Sequence, residues 1–314
     1  MWRGRRVLVT GGSGFIGSAL SDKLVDSGAL VFSLCNGQVR QGKCETIIAD
    51  VRDRNRIMQL LAAYRIEICF HLAAQAIGSI AKQNPVSTLE VNVAGTWNVL
   101  EGCRQLGIPL VVASSDKYYG MASPPYIEET FPVPAGIYET SKLCLDFLAR
   151  SYAVTYKLPI AITRCANIYG PGDRNFTRIV PYAISQTLKG LPVEIWSGKT
   201  HPGGESSRDY IFLDDVVDSY MLLAESLIKG ESYGEAFNFG TGVPTSVLNL
   251  IGTINAIIGV RITPNLITKE TGEIYKQWLD CAKARDKLGW KPKFSLEQGL
   301  RNTVPWYKQY LGYV

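Results

Sequence analysis

The chain has 314 residues, 33 Lys and Arg against 28 Asp and Glu, and 46% hydrophobic residues. At about 150 residues per domain this predicts roughly two units with a large core, and excludes disorder, collagen and small disulfide scaffolds. The longest apolar stretches, such as Ile108 to Ala113, are too short to span a bilayer, and MWRGRRVLVTGG runs into a strand with no cleavage site. A cytoplasmic protein with no targeting segment and no membrane contact is expected.

The net charge of +5 is dispersed, with Arg3, Arg5 and Arg6 first, Arg52 and Arg54 next, and single cations thereafter. That argues against a nucleic-acid partner, which wants a basic stripe, and suits a small anionic ligand. The 7 cysteines are widely spaced without a CxxC pair, and only 2 histidines accompany them. No metal site is expected, and free thiols in a reducing compartment are.

In chain order, RRVLVTGG predicts a first strand, Phe15 to Ser27 a helix, and Leu30 to Leu34 and Thr46 to Ala49 two further strands. Arg54 to Tyr64 reads as a helix, IEICFHLAA as a strand, Val86 to Leu106 as a long helix and IPLVVASS as a strand. A second long helix runs from about Tyr138 to Tyr156, and LPIAITRCANIYG follows as a strand. Strands alternating with helical crossovers predict an α/β fold with a doubly wound parallel sheet. After Gly170 the texture changes to PGDRNFTR, the Gly/Ser-rich SGKTHPGGESSRD, and helices mixed with isolated strands such as EAFNFG. A boundary near Asn167 is expected, giving units 1–166 and 167–314, with a segment from about Asp209 to Lys229 returning to the first.

Thr10-Gly11-Gly12-Ser13-Gly14-Phe15-Ile16-Gly17 lies between the first strand and its helix. Gly11, Gly14 and Gly17 permit a tight turn, close backbone approach to a pyrophosphate and close helix packing, with phosphate at the helix N-terminus beside Phe15 and Ile16. A dinucleotide cofactor is therefore expected. The second strand ends in Cys35-Asn36-Gly37 rather than in an acidic residue: Asn36 suits a ribose 2′-hydroxyl and Arg40 a 2′-phosphate, so NAD and NADP both stay open. Asp50-Val51 is placed for the adenine edge, and Leu72-Ala73-Ala74-Gln75 for lining the cofactor.

In Tyr138-Glu139-Thr140-Ser141-Lys142, Tyr138 and Lys142 are four apart and share a helix face. A nearby cation favours phenolate, which would bring the tyrosine pKa towards neutrality and make it a base for a hydroxyl proton. Ser114-Ser115-Asp116-Lys117 follows an apolar strand, at the carboxyl edge where such folds bind ligands, so Ser115 can serve the same substrate oxygen as Tyr138.

Together these residues resemble the Ser, Tyr and Lys set of the extended short-chain dehydrogenase/reductase family. The resemblance includes TGGSGFIG, HLAAQ, NVAGTWN (with Asn92 as a cofactor-side residue), RCANIYGPGD and RDYIFLDDV, and spans nearly the whole chain. It implies a Rossmann-type domain and a smaller substrate domain acting on nucleotide-linked sugars, with NAD as the expected cofactor and NADP kept open. Asp116-Lys117 after Ser115 is similar to the acid-base pair of the 4,6-dehydratases, closest to the CDP-glucose 4,6-dehydratase branch, as are Asp173 to Arg178 and LDCAKARDKLGWKPKFSLEQGL. RDYIFLDDVVDSY departs from that branch, which leaves base and sugar open. By the same resemblance Asn167, Asn175, Arg178 and Arg208 are expected on the substrate, with Arg208 pairing Asp209 or Asp214 as the structural alternative. The implied activity is a 4,6-dehydratase reaction, with a C4 epimerase and a non-catalytic dinucleotide-binding regulator as alternatives. A homodimer built as a four-helix bundle from Val86 to Leu106 and Tyr138 to Tyr156 is also implied.

Overall fold

The computed structural model describes residues 1–37, 43–133, 135–197, 206–268 and 274–313. Short runs of β-branched and aliphatic residues form a 7-stranded parallel sheet. In chain order its strands are β1 (Arg6–Thr10), β2 (Leu30–Cys35), β3 (Glu45–Ile48), β4 (Ile68–His71), β5 (Leu110–Ala113), β6 (Ile160–Cys165) and β7 (Glu235–Phe239). Their spatial order is β7-β6-β5-β4-β1-β2-β3, so the direction of winding reverses beside β1, where such sheets bind ligands.

Alternation along each strand feeds two cores. Val7, Val9, Phe70, Val111 and Phe237 pack beneath α1 (Phe15–Asp26) and the later helix Leu213–Ile228. Leu8, Phe32, Cys69, Leu110, Val112 and Ile160 pack on the opposite face beneath α2 (Arg54–Ala63), α3 (Gly95–Leu106) and α4 (Ile137–Tyr156). Burial on both faces explains why these strands read as continuous apolar runs. Helix Leu213–Ile228, α5, lies against α1, on the 7-stranded sheet. A third core, built around Tyr169, Ile184, Phe212, Ile251 and Leu300, belongs to the other lobe.

Two strand expectations need correcting. EAFNFG is not isolated: Glu235–Phe239 pairs in parallel with β6 from Glu235↔Ala161 to Phe239↔Cys165, burying Phe237 and Phe239. LPIAITRCANIYG is two strands, because the chain leaves the sheet after Cys165 and Asn167–Tyr169 pairs with Tyr210–Phe212 instead. The expected long helix from Val86 also changes pitch. A π-turn at Glu90–Ala94 joins Pro85–Leu89 to α3, the kind of local widening that re-aims a side chain.

Two buried polar assemblies fasten the loops and helices at the carboxyl end of the sheet to this frame. In the first, Thr10 Oγ1 meets His71 Nδ1 at 2.7 Å and Thr96 Oγ1 meets His71 Nε2 at 3.0 Å. Thr96 donates to the Asn92 carbonyl at 2.6 Å, Asn92 Nδ2 donates to Ser141 Oγ at 2.9 Å, and Ser141 donates to the Tyr138 carbonyl at 2.7 Å. In the second, Arg164 on β6 forms a two-pronged pair with Asp146 on α4 at 2.9 and 2.8 Å, both side chains fully buried. Its guanidinium lies 3.5 Å from the Tyr118 ring centroid and donates to the Tyr119 hydroxyl at 3.1 Å.

Removing one partner of such a pair strands a buried charge. Arg164→Met should lower unfolding free energy by ~3–5 kcal/mol in urea titration, and adding Asp146→Leu should recover part of the loss. An unchanged midpoint for Arg164→Met would contradict this role. Burial, then the Lys142 charge, pushes the His71 imidazole down to about 3. Between the ordinary value of 6.5 and that value the unfolded chain binds a proton that the native chain refuses, so stability falls on acidification through this window. His71→Gln should therefore lose less stability than the native chain between about pH 7 and about pH 4; equal losses would contradict the assignment.

Candidate active site

The candidate site residues follow the carboxyl ends of β1, β4 and β5, the edge where such sheets bind ligands. After β1, Gly11 has φ +71 and lies so close to the β4 loop that a Cβ would sit 2.8 Å from the Ala73 nitrogen. A Cβ on Gly17 would sit 2.2 Å from the Gly11 carbonyl oxygen, so helix α1 starts directly on the turn. Gly14 caps α1 without a side-chain hydrogen bond, and the first turn holds no acidic residue. Phe15 and Ile16 open that helix, leaving an N-terminus suited to a pyrophosphate.

Asn36 is exposed, and its Nδ2 donates to Asp50 at 3.3 Å. Arg40 lies outside the described residues. Arg52 bonds Asp50 through its backbone and guanidinium and holds that carboxyl below its ordinary value, so Asp50 remains an acceptor. Asn98 donates to the Val51 and Arg52 carbonyls, each at 3.0 Å, fixing this corner. Leu72, Ala73, Ala74 and Gln75 are half-buried along the next loop. Asn92, on the π-turn, has 0% exposure, and its side chain bonds the Gln75 backbone and Ser141, so it ties the loop after β4 to α4.

β5 ends at Ala113, whose carbonyl accepts from Lys142 Nζ at 2.9 Å. Lys142 is buried, and that burial lowers its ammonium to about 8. Ser114 is 8% exposed and its hydroxyl has no hydrogen-bond partner among the described residues, as expected of a group that a ligand completes. Ser115 caps the short helix Asp116–Tyr119, accepting from the Lys117 backbone N–H at 3.2 Å and donating to Asp116 Oδ1 at 3.0 Å. Lys117 Nζ lies 3.4 Å from each Asp116 carboxylate oxygen, the two side chains being 21% and 3% exposed.

Tyr138 is half-buried on the first turn of α4, with Ser115 among the groups that act on its phenol. The expected drop of its pKa does not occur in the chain by itself. Burial first, and then the Asp116 charge, push the phenol up, while Arg178 and Ser115 oppose them. The physical reason is that burial of the phenol, with the Asp116 charge beside it, disfavours the phenolate.

Arg178 donates to both Asp173 carboxylate oxygens at 3.1 Å, and Asn175 accepts from Thr177. Asn167 Nδ2 donates to the Asp209 carbonyl at 3.3 Å. Arg208 donates to the Ser207 and Tyr275 carbonyls at 3.0 Å and its charge bears on Lys117. The Asp209 carboxylate is occupied elsewhere, by Thr241 and Gly242. Two neighbours escaped sequence reasoning. Gln277 is fully buried against Asp116 and Lys117, from a two-residue strand without any motif. Glu139 was visible beside Tyr138, and its charge acts on both Lys117 and Tyr138.

Residues 7–240 match the model of the NAD-dependent epimerase/dehydratase family. A UDP-glucose 4-epimerase of Mycolicibacterium smegmatis is 32% identical over 321 residues, covering 96% of this chain and 98% of its own. A dTDP-glucose 4,6-dehydratase of Haemophilus influenzae is 27% identical over 339 residues, covering 96% and 97%. The crystal structure of a UDP-glucose 4-epimerase from Thermotoga maritima with UDP-glucose has a TM-score of 0.90 and 31% identity, covering 98% of this chain and 99% of that one. The glycine cradle, the uncapped α1 N-terminus and the Ser115, Tyr138 and Lys142 cluster fit these similarities, and the chain belongs to the NAD-dependent epimerase/dehydratase family of enzymes, with NAD as its cofactor.

Proposed function

We propose that the chain is a nucleotide-sugar 4,6-dehydratase, converting a nucleotide-linked hexose to its 4-keto-6-deoxy form. The observation that carries this reading is the Asp116–Lys117 pair directly after Ser115, with Asp116 buried and Lys117 half-buried. Removal of a proton from C5 and departure of the C6 hydroxyl need a base and an acid at one place, and a C4 epimerase needs neither.

When bound, NAD supplies the acceptor for the C4 hydride, returns that hydride at C6, and brings positive charge into the cleft. Tyr138 takes the O4 proton, with Ser115 holding the same oxygen and Lys142 holding the end of β5 in place. The 4-ketone acidifies C5–H. Lys117 takes that proton, since burial lowers its ammonium, and Arg208 acts in the same direction against Asp116 and Glu139. At 3.4 Å, Asp116 is close enough to Lys117 for the proton to pass on to the leaving C6 hydroxyl. The proton taken from O4 by Tyr138 passes through the Ser115 hydroxyl, which bonds Asp116 at 3.0 Å, to Asp116 and Lys117 and is delivered to C5 after hydride return, so the two protons removed from O4 and C5 equal the two delivered to O6 and C5. Arg178, Arg208, Asn167 and Asn175 in the second unit, 167–314, bind the diphosphate and sugar.

Incubation with CDP-, GDP-, UDP- and dTDP-hexoses, followed by mass spectrometry, should show loss of one water from one donor. Asp116→Asn should slow that loss by about a hundredfold while reduction of bound cofactor persists. An isomerised product of unchanged mass would establish the second reading, a C4 epimerase, which the similarity to the M. smegmatis and T. maritima epimerases favours.

The assembly we propose is a homodimer. Val86 at 69% exposure, Trp97 at 52%, Phe147 at 50% and Val154 at 67% lie on the Pro85–Leu106 helical run and on α4, an apolar grouping of the kind that marks interfaces. Light scattering should give twice the chain mass, and Trp97→Glu with Val154→Glu should give the monomer. A monomeric native chain would contradict the assignment.

A further inference from the structure

Gln277 is the side chain that no step above uses, yet it is fully buried against the elimination pair. Its backbone is clamped on both sides. The strand Lys276–Gln277 pairs with Ser207–Arg208 in the register Gln277↔Arg208, Asp209 N–H donates to the Gln277 carbonyl at 3.0 Å, and Tyr126 N–H donates to the Trp278 carbonyl at 3.0 Å. Its side-chain orientation follows from chemistry. Nε2 can only donate, and it donates to the Asp116 carbonyl at 3.0 Å, so Oε1 must face Lys117 Nζ, from which it accepts.

We infer that Gln277 is the positioning residue of the Asp116–Lys117 pair, holding Nζ of Lys117 so that its remaining position faces the reacting sugar. A neutral amine has two N–H bonds and one lone pair. With one N–H given to Gln277 and the other to Asp116, the lone pair is directed away from both, into the cleft. Without Gln277 the amine can turn fully onto Asp116, which removes the base and occupies the acid together. The inference rests on the dehydratase reading, because an epimerase has no use for an aimed Lys117.

The groups facing Lys117 are Asp116 on its own turn, Glu139 on α4, Arg208 on the neighbouring strand, and Gln277 itself. Two substitutions separate positioning from packing. Gln277→Met keeps the volume and removes the acceptor, while Gln277→Glu keeps the shape and adds a carboxylate. With the donor that the native enzyme dehydrates, Gln277→Met should lower water loss by about tenfold or more, with reduction of bound cofactor held within about twofold. Gln277→Glu should move the limb of the water-loss pH profile that reports neutral Lys117 up by about one pH unit, since a new anion favours the ammonium. A second readout needs no substrate: the pH dependence of Lys117 acetylation by acetic anhydride, followed by peptide mass spectrometry, should move upwards in Gln277→Glu by the same amount. Native profiles in both variants would overturn the inference. If no donor loses water even with the native enzyme, the dehydratase reading fails, and the acetylation profile alone decides whether Gln277 governs Lys117.

Discussion

The site depends on the buried ion pair between Arg164 and Asp146. Asp146 sits on α4, the helix that carries Tyr138 and Lys142, and Arg164 sits on β6, beside the strand that delivers Ser115. The same guanidinium covers Tyr118 and bonds Tyr119, the residues that complete the turn holding Asp116 and Lys117. Helix, strand and turn therefore share one desolvated charge, and none can shift without leaving part of it unpaired. Asn238 on β7 accepts from Tyr119 at 2.6 Å, so the outermost strand joins this assembly as well.

Around that anchor, desolvation sets the chemistry. Burial lowers the ammonium of Lys142 and of Lys117, raises the Tyr138 phenol and keeps His71 neutral. For Lys117 this favours the basic form that the proposed proton removal requires. For Tyr138 it works against the phenolate, so positive charge brought into the cleft with the cofactor has a defined task. Neutral His71 bridges Thr10 and Thr96 and so joins the phosphate turn to the helix behind Tyr138 through hydrogen bonds alone.

Much of this was legible because the relevant residues are neighbours in sequence. The turn from Gly11 to Gly17, the pair Tyr138 and Lys142, and the run from Ser115 to Lys117 each lie within one strand end or one helix turn, where spacing dictates geometry. What stayed hidden is non-local. Gln277 meets Lys117 across 160 positions, and β7 joins β6 after the chain has visited the other lobe. The π-turn that carries the buried Asn92 is announced by no residue pattern. The expectation of an acidified Tyr138 failed because spacing places Lys142 on the right face without saying that the phenol is buried with the Asp116 charge beside it.

The central claim is that one hydride moves from C4 to C6 while water is lost between C5 and C6. A nucleotide hexose carrying deuterium at C4 tests it directly, with the position of the label in the product read by NMR. The account predicts deuterium at C6 of a 4-keto-6-deoxy sugar. Deuterium retained at C4 of an isomerised hexose, with no loss of water, would contradict it.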